Sequence, residues 1–362
     1  MKLNTFLLLF ALSGAAFAQI PNGYYDDAEG LEGYELKTAL KEIINGHTVL
    51  SYGSLNNYYN QTDKDIYYEN DNTLLDMYSE KPNGPDAYNY GFGEGDQCGN
   101  YNSEADCWNK EHVFPQGFFN EQLPMRTDLH QVVPTDGYVN NRRSNYPFGE
   151  VGSATWTSTN GSKVGSNTTP GYSGTVFEPI DEFKGDIARI MLYFATRYED
   201  QVNTSGWGSH TAPNNPLDGS DDQVYEDWFI DVLLSWHAAD PVSQKEIDRN
   251  NKVYQIQGNR NPFVDHPEYV VMIWDPEAMN VSEFDSNKKI QVYPNPVNAV
   301  LNVKSDSKIE SFELFDLSGK RLQSGKPNTN DLAIDMNRLP AGTYILQTTV
   351  HGKTSSQKVI KK

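Results

Sequence analysis

The stretch spanning residues 108–150 constrains this chain most, because its prolines, caps and short apolar runs leave few ways to fold it. It reads W-N-K-E-H-V-F-P, then T-D-L-H-Q-V-V-P-T-D, then G-Y-V-N-N-R-R-S-N-Y-P-F-G-E. Val113 and Phe114 end an apolar run at Pro115, the pattern of a strand leaving into a loop. Leu129, Gln131 and Val133 alternate with His130 and Val132, and Pro134 closes this second short strand. Thr135 or Asp136 can then cap a helix, because a side-chain oxygen accepts from the free N–H groups of the first turn. That helix carries Val139 and Asn140 and stops before Pro147. A strand–loop–strand–helix unit of this kind aims a few polar side chains into one small space.

The residue types say what such a space could do. Glu111 and Asn140 offer a carboxylate and an amide oxygen, hard ligands suited to Mg²⁺, Mn²⁺ or Ca²⁺ rather than zinc. His112 ordinarily titrates at about 6.5 and can take a proton from water. Arg142 and Arg143 can fork onto phosphate oxygens. Metal, base and guanidinium together suit phosphodiester hydrolysis. Composition alone favours a plainer reading, since an isolated Glu-His pair on a strand is more often structural.

The motifs W-N-K-E-H-V-F-P, D-L-H-Q-V-V-P and V-N-N-R-R-S-N-Y-P-F-G closely resemble those of the bacterial extracellular endonuclease I family of ββα-metal nucleases. F-E-P-I-D-E-F-K-G-D-I-A-R, W-H-A-A-D-P-V-S and G-N-R-N-P-F-V-D-H-P-E extend the resemblance in the same order, over roughly residues 23–280. It implies an α+β fold with a ββα-metal core inside a mixed helical domain. It implies a hydrolase, a Mg²⁺-dependent endonuclease (Mn²⁺ or Ca²⁺ as alternatives) cutting DNA, and RNA as a further substrate, with little sequence preference and 5′-phosphate products. Glu111 and Asn140 would hold the ion, His112 would be the general base, and Arg143 would hold a flanking phosphate. Arg142 and Asn145 are further candidates for substrate binding, with Asn145 the fallback ion ligand should the helix register differ; Arg142 stands where the family often has an acid. His130 would buttress the site structurally.

Residues 1–18 carry one early lysine, an apolar run and Ala16-Phe17-Ala18, the pattern of a secretory signal peptide. The run is too short to span a bilayer, which needs about 20 residues, so no membrane span is expected. Export favours a disulfide between Cys98 and Cys107; free thiols or half a metal site are the alternatives. Net charge is −20. Residues 1–286 hold 17 Lys and Arg against 43 Asp and Glu, which is −26, while residues 287–362 hold 12 against 6, which is +6. The basic stripe usual in nucleic-acid binding is therefore missing from the composition. Local charge from Arg142, Arg143, Lys110, Arg126 or Lys184 must serve instead, with weak ground-state affinity for DNA.

Leu36, Leu40, Ile43 and Ile44 lie at helical spacing, and Leu74, Leu75 and Met77 suggest one apolar strand. Residues 151–176 read as a loop or irregular hairpins. Residues 186–198 and 227–237 read as core helices, with Arg189 and Arg197 in ion pairs and His237 structural. A third helix follows, with Ser243 as N-cap and Glu246 at its third position. The loop 258–268 mainly packs the fold, although Asp265 and His266 alone could suggest a second metal.

Composition changes over residues 281–289, read as a linker between a catalytic domain (19–280) and a second domain (290–362). Beyond it, V-Y-P-N-P, F-D-L-S-G-K-R-L, L-P-A-G-T-Y-I-L and K-V-I-K-K are short strands between turns, fitting a small all-β sandwich of six or seven strands. This segment resembles the C-terminal sorting domain of the type IX secretion pathway of Bacteroidota. The resemblance implies export by that machinery, to the medium or the cell surface; the enzyme is expected to be a monomer. Two rival functions stand beside it. One is an adhesive or binding protein that kept the fold but does not cut. The other is a hydrolase of a different substrate, for which no H-E-x-x-H, G-x-S-x-G or phosphate-cradling glycine loop is present.

Overall fold

The apolar spacings of the sequence resolve into two units, residues Met1–Trp274 and Asp275–Lys362. The computed structural model describes residues 20–202, 214–276, 290–316, 320–350 and 353–362. The expected signal peptide and linker lie outside the described residues.

In chain order the first unit contains α1 (Gly33–Ile44), α2 (Asn56–Thr62), β1 (Trp108–His112), β2 (Val132–Asp136) and α3 (Gly137–Arg143). There follow β3 (Val151–Thr157), β4 (Lys163–Asn167), β5 (Thr175–Glu178), α4 (Lys184–Arg197), α5 (Glu199–Val202), α6 (Asp227–Ala239), α7 (Gln244–Gln257), α8 (Pro262–Asp265) and α9 (Glu268–Trp274). It is a mixed α+β unit. Helix α4 is buried on every side, and its Ile187, Met191 and Phe194 share one core with Leu36, Leu40 and Ile44 of α1 and Phe229 and Leu233 of α6. Arg189 of α4 crosses to Glu246 of α7, whose own N-terminus is closed by the Ser243–Glu246 capping box. Gly258 ends α7 in the left-handed region at φ 91°, which a glycine adopts without strain.

The expected hairpins over 151–176 are a three-stranded antiparallel sheet in the order β3-β4-β5, irregular at two points of the β3 pairing. The strand expected at Leu74–Met77 is absent. An isolated bridge joins Lys64 and Leu74, and the N–H groups of Leu74 and Leu75 donate to the carbonyls of Tyr90 and Asp63, two separate segments rather than one partner strand. The second short strand also begins later than expected and runs through Pro134 to Asp136. Both strands of a two-stranded ribbon are edges, where a proline is tolerated. The preceding residues form a turn around Asp128, whose Oδ1 accepts from the His130 N–H at 2.9 Å.

The second unit is all β: β6 (Gln291–Tyr293), β7 (Val300–Ile309), β8 (Ser311–Asp316), β9 (Arg321–Gly325), β10 (Thr329–Asp335), β11 (Gly342–Val350) and β12 (Lys353–Lys361). They form two antiparallel sheets, β10-β7-β6 and β12-β11-β8-β9, with Leu301, Val303, Leu314, Ile334 and Leu346 in a common core. Residues 315–322 were read as one strand; Phe315 and Asp316 end β8, Arg321 and Leu322 open its antiparallel neighbour β9, and 317–319 lie outside the described residues.

Candidate active site

Strand β1 pairs antiparallel with β2, setting Glu111 opposite Val133 and His112 opposite Val132. Asp136 ends β2 and caps α3, accepting from the Val139 N–H at 2.8 Å. The ββα unit thus brings Glu111, His112 and Asn140 to one cleft of about 620 Å³, which Arg143, Asn145, Lys110, Tyr52 and Cys98 also line.

Glu111 is 2% exposed. Its Oε1 accepts from Tyr78 Oη at 2.8 Å and faces Arg143 Nη1 at 3.2 Å. Both contacts fall on one oxygen, which leaves Oε2 for a further ligand. Burial raises the carboxyl above its usual range, while Arg143 and Tyr78 oppose that shift. A cation on Oε2 would act in the same direction as Arg143. Asn140 is fixed in the same way. Its Nδ2 donates to Asn109 Oδ1 at 2.7 Å and to the Lys110 carbonyl at 3.3 Å. Its Oδ1 is thereby the atom left for a hard cation. A carboxylate oxygen and an amide oxygen in one cleft fit Mg²⁺ or a similar ion by donor chemistry.

His112 occupies the other wall. Its Nε2 lies 3.1 Å from the Arg126 carbonyl. A carbonyl only accepts, so Nε2 carries the hydrogen and Nδ1 keeps its lone pair. Burial pushes the imidazole down to about 4, with the Arg126 carbonyl opposing and the neighbouring cations adding to the depression. It is therefore neutral at pH 7. Its ring lies parallel to Tyr52, centroids 6.1 Å apart, and Lys110 Nζ and the Arg126 guanidinium lie 4.6 and 4.4 Å from the Tyr52 ring centre. This cation-flanked aromatic supplies, at one point, the positive charge that the overall composition lacks.

The remaining candidates fall in different places. Arg143 is buried, and its guanidinium donates to the His112 and Val113 carbonyls at 3.2 and 2.6 Å. It faces Phe148 at 4.6 Å. These contacts tie it to the protein. Arg142 is exposed, does not line the cleft, and lies 5.3 Å from the Trp156 ring. Asn145 is exposed at the cleft. Lys184 is committed to Glu150, Glu178 and Asp181. Cys98 and Cys107 form a disulfide at the cleft edge. His130 is buried, its Nε2 3.1 Å from the Asn259 carbonyl and its ring against Tyr193. The segment 258–268, expected as a loop, contains the single turn α8 and packs the fold through Arg260, whose Nε and Nη2 reach Asp265 at 2.6 and 2.7 Å. Three residues were not singled out from the sequence. Asn109 lies within the strand motif and could have been found there, whereas Tyr52 and Tyr78 arrive from distant segments with no local signature.

Residues 32–268 match Endonuclease I, and residues 291–362 match the secretion system C-terminal sorting domain. The chain is 36% identical over 256 residues to an extracellular ribonuclease of Bacillus amyloliquefaciens, covering 69% of this chain and 78% of that protein. It is 34% identical over 271 residues to the extracellular ribonuclease of Bacillus subtilis, covering 74% and 83%. An extracellular deoxyribonuclease of Aeromonas hydrophila is 25% identical over 176 residues, covering 46% and 61%. The sorting domain and these extracellular relatives make this a secreted or cell-surface protein. No described helix is long and apolar enough to cross a membrane. The chain belongs to the endonuclease I family and ends in a secretion sorting domain.

Proposed function

We propose that this protein is an endonuclease that hydrolyses phosphodiester bonds of both RNA and DNA with a single divalent ion, leaving 5′-phosphate ends. One observation carries the reading. Glu111 Oε2, Asn140 Oδ1 and His112 Nδ1 are each left available because the partner atom of the same group is already bound. Such fixed groups need no reorganisation when a substrate arrives.

Glu111 and Asn140 hold the ion, Mg²⁺ in the first instance. When bound, it supplies positive charge to a phosphate oxygen and to the departing 3′ oxygen. Neutral His112 takes a proton from the attacking water on Nδ1, while the Arg126 carbonyl holds the ring in place and stabilises its protonated form. Tyr52 offers a stacking face, and Lys110 and Arg126 offer charge to neighbouring phosphates. Arg143 acts as a positioning residue behind Glu111 and His112, and Arg142 and Asn145 contact substrate outside the reacting centre. The names of the Bacillus relatives favour RNA and that of the Aeromonas relative favours DNA, so both belong in the substrate class. Export by the type IX machinery accounts for the C-terminal unit.

Analysis of the ends tests this reading. RNA and DNA are digested side by side with Mg²⁺ and with EDTA, and the products are mapped. Attack by water predicts 5′-phosphate and 3′-hydroxyl ends on both polymers and no cutting in EDTA. A 2′,3′-cyclic phosphate on RNA would show that the ribose hydroxyl attacks instead.

A further inference from the structure

A second group of acids lies in the segment 65–86. Asp65 Oδ1 accepts from the Tyr67 and Tyr68 N–H groups, each at 3.0 Å. One carboxylate oxygen each from Asp65, Glu69 and Glu80 lies within 4.8 Å of the other two. Asp65 is 2% and Glu80 1% exposed. Glu80 Oε1 and Glu69 Oε2 are buried with no hydrogen-bond partner. Asp86, Glu69 and Asp65, three acids, act on Glu80. None of these residues lines the cleft that holds Glu111.

Buried carboxylates facing one another require either a shared proton or a cation. Glu80 Oε1 and Glu69 Oε2 receive no hydrogen bond from a donor group, and a cation among the three carboxylates would serve in its place.

We propose that Asp65, Glu69 and Glu80 bind a structural Ca²⁺ at a site separate from the catalytic ion. Oxygens sharing one Ca²⁺ at its usual bond lengths stand at most about 5 Å apart, which these three satisfy. Mg²⁺ keeps its waters and is seldom held by an all-protein cage, whereas Ca²⁺ accepts several carboxylates in irregular geometry. Such an ion pins the segment that supports the active site. Tyr78 in this segment donates to Glu111, and Asp76 Oδ2 accepts from the backbone N–H of Asp136, the cap of α3.

Thermal melts of the full-length protein, stripped with EDTA and titrated with CaCl₂ alone, test the site. Three chains are compared: wild type, Glu80→Gln and Glu111→Gln. Wild type and Glu111→Gln should both gain on the order of 5–10 °C in Tm at a hundredfold excess over Kd. Glu80→Gln should lose most of that gain while keeping Mg²⁺-dependent cutting. Should Glu80→Gln fail to fold, Glu69→Gln, on a less buried member of the group, makes the same comparison. A Ca²⁺ shift that survives in Glu80→Gln and vanishes in Glu111→Gln would overturn the site. No Ca²⁺ shift in wild type would also overturn it and would leave a shared proton as the explanation of the group. Both outcomes are independent of whether the enzyme cuts, so failure here leaves the nuclease reading standing.

Discussion

Arg143 Nη1 stands 3.2 Å from Glu111 Oε1, and the two side chains are 2% and 3% exposed. The same guanidinium holds the carbonyls of His112 and Val113, so one side chain of α3 fixes the last turn of the chain out of β1. A charge so enclosed has little freedom to leave for a substrate phosphate.

Arg143→Met should therefore act first on stability. Removing one partner of a buried pair strands the other, at a cost of roughly 3–5 kcal/mol. Urea unfolding of wild type and variant measures it. A loss under about 1 kcal/mol with a large rise in KM would instead make Arg143 a phosphate contact.

How much of this site was legible follows from distance along the chain. Glu111, His112 and Asn140 share one stretch whose strands, cap and helix are written in local spacing, and Asp136 caps the helix as its side chain allows. The carboxylate oxygen left for a ligand could not be read, because Tyr78 comes from 33 positions upstream. Tyr52 reaches His112 from still farther, and nothing in its neighbours marks it. The end of β2 was misread at Pro134 because proline closes central strands, whereas a two-stranded ribbon has none. The absent strand at Leu74–Met77 fails for another reason: local spacing cannot reveal that Leu74 and Leu75 will donate to carbonyls of two different segments, at Tyr90 and Asp63.

Acid should unfold the first unit partly through His130. Burial lowers its imidazole to about 4, although Asp128 and the Asn259 carbonyl oppose the shift. Unfolded, it titrates near 6.5. Between these values the unfolded chain binds the extra proton, so this group's contribution is present above about pH 6.5 and is lost as pH falls towards 4. His130→Gln should shed less stability over that window than wild type, whatever its absolute stability. Urea midpoints at pH 7, 5.5 and 4.5 check this. Parallel curves for the two proteins would mean that other groups carry the whole effect.

Residues after about 285 should be dispensable for cutting. The cleft is lined by residues 52–145, and the C-terminal strands have a core of their own. A chain ending at Asn287 should cleave at about the full-length rate when purified, yet fail to leave its native cell. Loss of activity in the soluble truncated chain would tie the second unit to catalysis.

The division of labour between the two walls of the cleft is tested most directly by the rate of cleavage against Mg²⁺ concentration for His112→Ala and Asn140→Ala. Removing a general base typically costs about 10²–10⁴ in rate, and added ion cannot replace it. Removing an ion ligand weakens affinity, which a higher concentration offsets. High Mg²⁺ should thus partly restore Asn140→Ala and leave His112→Ala at its low rate. Restoration of His112→Ala to near the wild-type rate would make His112 an ion ligand and contradict its assignment as the base.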